Sequence, residues 1–146
     1  MDERTADGGP TAVDWGWLAV SLPGWRWAPG MLAVNFDGPI RVESVDHGEP
    51  GVLRRCRFTE EMVHADIRSG PTPDPDDPAT AGCLLALLTP RPEYGRIVAI
   101  HPPRTLGGDF SVILDTQWGK VTGRGSTLGR ACIAAAEALG RWPGPT

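Results

Sequence analysis

The sequence has few cysteines and no long apolar segment. Its three cysteines, Cys56, Cys83 and Cys132, are odd in number and lie far apart among apolar or strand-forming neighbours. This arrangement disfavours a disulfide framework or a cysteine metal site and predicts free, mostly buried thiols. No apolar run approaches the roughly 18 to 20 residues that span a bilayer, and the N-terminus lacks the positive and then apolar segments of a secretory signal. We therefore expect a cytoplasmic protein that does not associate with membranes.

A surplus of positive charge is also absent. Fourteen lysines and arginines stand against 18 aspartates and glutamates, which gives a formal net charge of −4 at pH 7. Proteins that bind nucleic acids or anionic membranes through bulk electrostatics carry the opposite balance. The composition disfavours nucleic acid as a partner, although it leaves room for local basic patches.

Glycine and proline are abundant, with 19 and 15 residues in a chain of 146. Both exceed average usage, which predicts many turns and short elements instead of long helices. The apolar fraction of 40% is sufficient for one hydrophobic core. Residues 1–12 are polar and have no hydrophobic period, so we predict a flexible N-terminal tail followed by a single domain over 13–146.

Short segments of strand-like character recur about ten residues apart, separated by turns that contain glycine or proline. The alternation of apolar and charged residues over 40–43 is typical of a half-buried strand. The continuous apolar run 97–100 predicts a buried strand. The spacing indicates a small antiparallel sheet or a partly open barrel. The predicted strands are 31–36, 40–43, 52–58, 62–68, 97–100, 110–114 and 118–122.

Two principal helices complete the prediction of an α+β fold. Asp77 can accept hydrogen bonds from the free amides of a first helical turn, and Pro78 suits the first helical position. The run 83–88 contains no polar side chain, so we expect this helix to be covered by protein on most sides. The segment 69–77 before it is rich in proline and is expected to be extended and exposed.

The second helix follows Ser126, which can act as its N-cap. Apolar residues recur after it at helical spacing, and Gly140 ends the element. Gly129 costs about 1 kcal/mol relative to alanine within a helix, so the first turn either frays or packs tightly against another backbone. The apolar face consists of Leu128, Cys132, Ala135 and Leu139, widened by Ala131 and Ala136.

The segment 77–87, with the sequence Asp-Pro-Ala-Thr-Ala-Gly-Cys-Leu-Leu-Ala-Leu, resembles the conserved core segment of small uncharacterised proteins of phages and prophages. The segment 27–31 and the alanine-rich C-terminal helix resemble the layout of the same family. In that family the first helix usually continues through a charged segment, whereas the Thr-Pro-Arg-Pro sequence of 89–92 ends it here. The family has no established activity, so the resemblance implies a phage origin and a host-cytoplasm context and no particular reaction.

The acidic cluster Asp74, Asp76 and Asp77 is the nearest approach to a cation site, since closely spaced oxygen ligands suit Ca²⁺ or Mg²⁺. A calcium-binding loop also needs a turn glycine and a bidentate acid at fixed positions, and neither follows before Glu93. Solvation of the segment and helix capping explain these acids without a metal. We predict neither a metal nor a cofactor.

The histidines, His47, His64 and His101, show no metal-ligand spacing. His64 and Asp66 would share one face of the strand predicted over 62–68, an arrangement that could supply a base and the carboxylate that orients it. No nucleophile motif accompanies them, so we favour surface or satisfied polar histidines and predict no catalytic residue. A small enzyme that uses His64 and Asp66 is an alternative function.

The segment 123–127, Gly-Arg-Gly-Ser-Thr, precedes the second helix, and helix N-termini attract anions through their free amides. The segment lacks the lysine and the spacing of a phosphate-binding P-loop. Arg124 and Ser126 are the candidate anion-binding residues, with a simple turn and helix cap as the alternative.

Tryptophan and arginine provide the candidate surface for a protein partner. Trp25 and Trp27 form a dense aromatic cluster, and Arg55 and Arg57 alternate onto one face of a predicted strand. Both residue types are enriched among the residues that dominate binding energy. These four residues are the partner-binding candidates, with core packing for the tryptophans and a solvated strand face for the arginines as the alternative.

The sequence thus favours a phage- or prophage-encoded non-catalytic binding protein whose partner is another protein. The concrete version of this hypothesis is an inhibitor of a host defence protein or of another host protein. A phage structural or assembly accessory protein is the second class.

Overall fold

A computed structural model of the chain describes residues 11–34, 39–42, 44–45, 53–54, 71–90 and 92–144. Within these ranges the chain forms three α-helices, eight β-strands and one turn of 3₁₀-helix over Pro92–Tyr94, which confirms the α+β class. The helices are α1 (Ala12–Ser21), α2 (Pro78–Leu88) and α3 (Leu128–Leu139). The strands are β1 (Leu32–Val34), β2 (Ile40–Arg41), β3 (Ser44–Val45), β4 (Leu53–Arg54), β5 (Thr72–Pro73), β6 (Gly95–His101), β7 (Phe110–Thr116) and β8 (Gly119–Gly125).

The described strands form three small antiparallel sheets, none of which closes into a barrel. The strand orders are β2-β1-β5, β3-β4 and β6-β7-β8. The hairpin of β7 and β8 confirms the predicted pairing of the strand over 110–114 with the one over 118–122. The predicted strand 62–68 and most of 52–58 lie outside the described residues.

Helix α3 covers one face of the β6-β7-β8 sheet and forms the centre of the core. Val112 and Leu114 of β7 are fully buried beneath it, as is Ala135 of the helix. Gly123 of β8 brings the helix still closer, because a Cβ at this position would lie 2.6 Å from the Cα of Ala135. Helices α1 and α2 also pack against α3, so the three helices share one core.

The start of α2 is fixed as the sequence predicts. Asp77 accepts a hydrogen bond from the Thr80 backbone N–H at 3.0 Å, and Pro78 occupies the first helical position. The Thr80 hydroxyl accepts from the Leu32 N–H at 2.8 Å, which joins the helix to β1. Arg41 of β2 donates from Nη1 and Nη2 to the Asp77 carboxylate, at 2.6 and 3.2 Å. Asp77 therefore connects α2 to the first sheet.

The Asp77 carboxylate should make the free energy of unfolding depend on pH. The hydrogen bonds from Arg41, with those from Thr80, hold the pKa of Asp77 below its ordinary value despite partial burial. A lowered carboxylate pKa contributes stability that is present above the ordinary pKa and is lost as the pH falls through the lowered one. We expect the wild type to lose its stability advantage over Asp77→Asn below about pH 4, because asparagine keeps the helix cap but not the charge. Urea unfolding midpoints of both proteins measured from neutral to acidic pH test this, and an advantage independent of pH would contradict it.

Helix α1 is absent from the sequence-based prediction, which has only two principal helices. A capping box marks its start: the Asp14 N–H donates to the Thr11 hydroxyl at 3.2 Å, and the Thr11 N–H donates to the Asp14 carboxylate at 3.0 Å. The helix contains Gly16 and two tryptophans, which have modest helix propensity. Its stability therefore comes from packing against β5 and α3 and not from its own sequence.

The prediction that the segment 69–77 is exposed is wrong for Pro71, Thr72, Pro73 and Pro75, which are buried, whereas Asp76 is exposed. Thr72 and Pro73 form β5, pair with β1 and are buried. A Cβ on Gly16 of α1 would lie 2.7 Å from the Cβ of Thr72, so the missing side chain allows the helix to cover this strand. Thr72 and Pro73 are extended, as expected, but they are buried, and the chain then turns before α2, where the Asp77 N–H donates to the Asp74 carbonyl at 3.3 Å.

The N-cap of α3 is Thr127 and not Ser126, so this part of the prediction is wrong. The Thr127 hydroxyl accepts from the Arg130 N–H at 3.3 Å, whereas Ser126 is exposed. Gly129 packs tightly, which was one of the two alternatives, because a Cβ there would lie 2.7 Å from the Pro75 carbonyl carbon. The helix ends as predicted at Gly140, whose φ of 87° is left-handed.

Strand β6 differs from the buried strand predicted over 97–100. It lies at the edge of its sheet, and the side chains of Val98 and Ile100 are 49% and 42% exposed. Its pairing with β7 shifts register between Ile97 and Ala99, which is a β-bulge. The apolar run therefore reflects a bulged edge strand and not full burial.

Candidate functional site

The tryptophans predicted to bind a partner belong to the core. Trp27 is 5% exposed, and its ring meets Trp25 edge-to-face, with 5.4 Å between the ring centroids. Trp25 is half-buried and also contacts Trp142, at 5.9 Å between centroids. A side chain as buried as Trp27 cannot serve as an exposed anchor, so core packing describes it. Arg55 and Arg57 lie outside the described residues.

The predicted anion site at the start of α3 is filled by a carboxylate of the chain itself. The Thr127 hydroxyl donates to Asp76 at 2.8 Å, and Arg130 donates to the same carboxylate from Nε and Nη2 at 3.0 and 2.9 Å. The favourable field of the helix N-terminus thus holds the segment before α2. An external anion here would compete with Asp76, which argues against Ser126 as an anion-binding residue.

Arg124 lies elsewhere, on the face of the β6-β7-β8 sheet that α3 does not cover. Its backbone pairs with Ser111, which pairs in turn with His101. Residues paired across strands share a face, and neighbours along a strand alternate between faces. The register therefore assigns three rows of residues to this surface, which we call the open face. The rows are Arg96, Asp115 and Lys120, then Ala99, Ile113 and Thr122, then His101, Ser111 and Arg124.

The open face ends in a cleft of about 540 Å³ beside the loop 102–109 that joins β6 to β7. A hydrogen bond of 3.0 Å from the Gly108 N–H to the Thr105 carbonyl closes the tip of this loop. Volumes of this order hold a small ligand or a few side chains of a partner. We call this feature the sheet cleft. It is lined by His101, Pro102, Arg104, Thr105, Gly108, Asp109, Ser111, Ile113, Thr122 and Arg124.

The end of the open face far from the sheet cleft carries two cationic side chains and one carboxylate. Asp115 of β7 lies between Arg96 of β6 and Lys120 of β8, so opposite charges alternate across the three strands. Opposite charges placed directly across a strand pair attract each other. This end of the open face therefore places its carboxylate directly opposite both of its cations.

The end at the sheet cleft lacks this alternation of opposite charges across the strands. The residue between His101 and Arg124 is the neutral Ser111, and Arg104 of the loop adds a second guanidinium group. Asp109 is the one carboxylate among the lining residues. Guanidinium groups bind carboxylates and phosphates through paired hydrogen bonds, so this geometry suits the recognition of an anionic group.

The sheet cleft does not contain the hydrogen-bonded relay that a serine nucleophile requires. His101 and Ser111 are directly opposite each other across the strands, and Asp109 lines the same cleft. In the described part of the chain, the His101 ring donates no hydrogen bond to either side chain and accepts none. Nucleophilic catalysis needs a base bonded to the nucleophile and oriented by a third group.

Cysteine chemistry gives no alternative site among the described residues. Cys83 and Cys132 are free thiols, half-buried and buried. Burial raises the pKa of the Cys132 thiol to about 12, and it also raises the pKa of Cys83. Both thiols therefore stay protonated near neutral pH, and protonated thiols are weak nucleophiles. Cys56 lies outside the described residues.

The acidic cluster before α2 is engaged in structural contacts. Asp76 pairs with Arg130 at 2.9 Å and Asp77 with Arg41 at 2.6 Å, while Asp74 accepts from the Asp76 N–H at 3.0 Å. Across the described ranges, no group of three or more histidine, cysteine, aspartate or glutamate side chains is placed to hold a metal ion. The alternative catalytic pair His64 and Asp66, with His47, lies outside those ranges.

Of the residues at the sheet cleft, Arg124 is predicted from the sequence as a binding residue, and its neighbours there are not. One available signal was the hairpin itself, since alternation from a turn at residues 117–118 places Ser111 opposite Arg124. No comparable signal exists for Arg104, because the path of the loop 102–109 depends on the completed sheet.

Comparison with known proteins finds no match for this chain, whether among protein-family models, curated proteins or solved structures. The resemblance of the segment 77–87 to phage and prophage proteins therefore stays a prediction. None of the helices in the described part of the chain is long and apolar enough to cross a membrane.

Proposed function

We propose that this chain is a non-catalytic binding protein, encoded by a phage or prophage, that docks the open face of its β6-β7-β8 sheet onto a protein of the host cytoplasm. The observation that carries the proposal is the asymmetry of this sheet. One face is packed against α3, whereas the other presents polar and charged side chains and ends in the sheet cleft. Functional residues are commonly found where a rigid scaffold presents loops and charged groups to solvent.

The concrete form of this function is inhibition of a host defence protein or of another host protein by steric occlusion. A rigid sheet backed by a helix can cover a partner's working surface without any chemical step. The side chains of the sheet cleft form no catalytic relay, which supports binding as its role. The resemblance of the segment 77–87 to phage proteins supports the host context.

Affinity capture from host lysate tests the proposal with a matched pair of variants. Thr122→Arg places a long charged side chain at an exposed position in the middle row of the open face, and Ala138→Arg places the same side chain on the exposed side of α3. Both positions are exposed, so both variants should fold, which thermal unfolding would verify. Captured proteins are identified and quantified by mass spectrometry.

We expect the wild type and Ala138→Arg to capture one dominant host protein in equal amounts. Thr122→Arg should capture at least about tenfold less of it, because a clash within an interface costs more than about 1.4 kcal/mol of binding free energy. Capture of virion proteins instead would favour the assembly accessory. A clean blank would contradict the proposal and direct attention to His64 and Asp66.

A further inference from the structure

Two arginine side chains line the sheet cleft, and in the described part of the chain neither has an intramolecular ion-pair partner. Arg104 and Arg124 both line the cleft, and neither forms a hydrogen bond or an ion pair in the described part of the chain. Arg41 and Arg130, by contrast, are each bound to an aspartate. Like charges repel, so two unpaired cations in one cleft add nothing to the stability of the fold. A negatively charged group of a partner would be attracted to both of them.

The surroundings of the two arginines favour a carboxylate on a flexible segment. Ser111 and Thr122 add hydroxyl groups that can donate to the same anion. Leu106 is fully exposed in the loop beside the cleft, where it can contact an apolar neighbour of the acidic residue. Alternating acidic and apolar side chains in an extended peptide would match this arrangement.

Single-stranded nucleic acid fits the sheet cleft less well. Such sites combine positive charge with aromatic side chains on which the bases stack, and no lining residue of the cleft is aromatic apart from the His101 ring. Asp109 adds a negative charge at the wall, and the chain as a whole carries a net charge of −4. The negative charge of Asp109 and the negative net charge of the chain repel a nucleic acid, with its regularly spaced phosphates, more than they repel a peptide segment with a few carboxylates.

We propose that the sheet cleft binds an acidic segment of the protein partner and that Arg104 and Arg124 hold its aspartate or glutamate carboxylates. The inference rests on the proposed function, since it names the chemistry of the partner at the same surface. Arg104 and Arg124 are the specificity-determining residues in this account, and Ser111 and Thr122 are secondary donors.

The test uses the full chain labelled with ¹⁵N and three defined probes followed by NMR. The probes are a short peptide of alternating glutamate and leucine, the same peptide with glutamine for glutamate, and a single-stranded oligothymidylate. Each is titrated against the wild type and against two double variants, Arg104→Glu/Arg124→Glu and Arg96→Glu/Lys120→Glu. The two double variants change the net charge equally, so they separate the cleft from the overall charge of the open face. Both replace exposed side chains, and thermal unfolding confirms that each is folded.

We expect the glutamate peptide to shift the resonances of the loop 102–109 and the Nε–H signals of Arg104 and Arg124. The Kd of the glutamate peptide should rise at least about tenfold in Arg104→Glu/Arg124→Glu, because charge-assisted hydrogen bonds are lost. It should rise much less in the control variant Arg96→Glu/Lys120→Glu. Absence of binding, an equal loss in both variants, or tighter binding of the glutamine peptide or of the oligothymidylate would overturn the inference.

Failure of this inference is distinguishable from failure of the proposed function. If host-protein capture is lost in Thr122→Arg but unchanged in Arg104→Glu/Arg124→Glu, the open face binds the partner and the acidic-segment inference is wrong. If no host protein is captured while the glutamate peptide binds through Arg104 and Arg124, the cleft chemistry stands and the proposed function is wrong.

Discussion

Replacement of Gly129 by alanine is expected to destabilise the protein by about 2 kcal/mol, although alanine is the better helix former. Gly129 lies in the first turn of α3, directly against the backbone of Pro75. An alanine Cβ would overlap the Pro75 carbonyl oxygen and lie 2.7 Å from its carbonyl carbon. Because backbone and not a flexible side chain is in the way, either α3 or the segment before α2 must move.

The matched control for this prediction is Gly82→Ala. Gly82 lies in α2, is exposed, and has no atom within 4 Å of the position that a Cβ would take. Alanine there should raise the free energy of unfolding by about 0.5 to 1 kcal/mol, since it restricts the unfolded chain and favours the helix. Urea unfolding at neutral pH measures both values. Effects of the same sign would contradict the tight contact between α3 and Pro75.

Replacement of Trp142 by alanine is expected to lower the free energy of unfolding by about 3 to 5 kcal/mol, which is a larger effect than that of Gly129→Ala. Trp142 is 2% exposed, and its indole N–H donates to the Ala19 carbonyl of α1 at 2.9 Å. Its backbone N–H donates to the Pro23 carbonyl at 2.8 Å, and its ring contacts Trp25. The side chain thus joins the segment after α3 to α1 and to the tryptophan cluster. Trp142→Ala would leave a large cavity and remove one of the two hydrogen bonds to the Ala19 carbonyl, which also accepts from the Leu22 N–H.

Trp118→Ala is the control for Trp142→Ala. Trp118 is 39% exposed in the β7-β8 turn, and the Arg141 guanidinium lies 4.4 Å from the centroid of its ring. An exposed cation–π contact contributes about 0.5 to 1 kcal/mol, so this loss should be several times smaller. Thermal unfolding followed by circular dichroism measures both variants, and equal losses would contradict the core position of Trp142. A Trp25→Ala/Trp27→Ala protein belongs with Trp142→Ala as a stability variant and is unsuitable as a probe of partner binding.

Elements with local signals could be predicted from the sequence. Asp77 and Pro78 specify the start of α2 through a side-chain cap and a missing N–H, both of which act within one turn. The periodicity of the last helix and the Gly140 cap specify α3 in the same way. Helix α1 also had a local signal, the Thr11 and Asp14 capping box, but its tryptophans and Gly16 obscured the helical pattern.

Features that depend on distant contacts could not be predicted. The segment around Thr72 looks exposed because it is rich in proline, yet α1 covers it through the contact at Gly16. Ser126 and Thr127 are both suitable caps by residue type, and Asp76, more than fifty residues away in the chain, accepts a hydrogen bond from Thr127. At the site, Arg124 was selected for a helix terminus, whereas strand register directs it to the open face.

Photo-cross-linking in host cells directly tests whether the open face is the surface that binds the partner. A photoreactive amino acid replaces Thr122 on the open face in one protein and Ala138 on the outer side of α3 in another. We expect one discrete adduct with a host protein from position 122 and none from position 138. An adduct from position 138 alone, or no adduct from position 122, would contradict it.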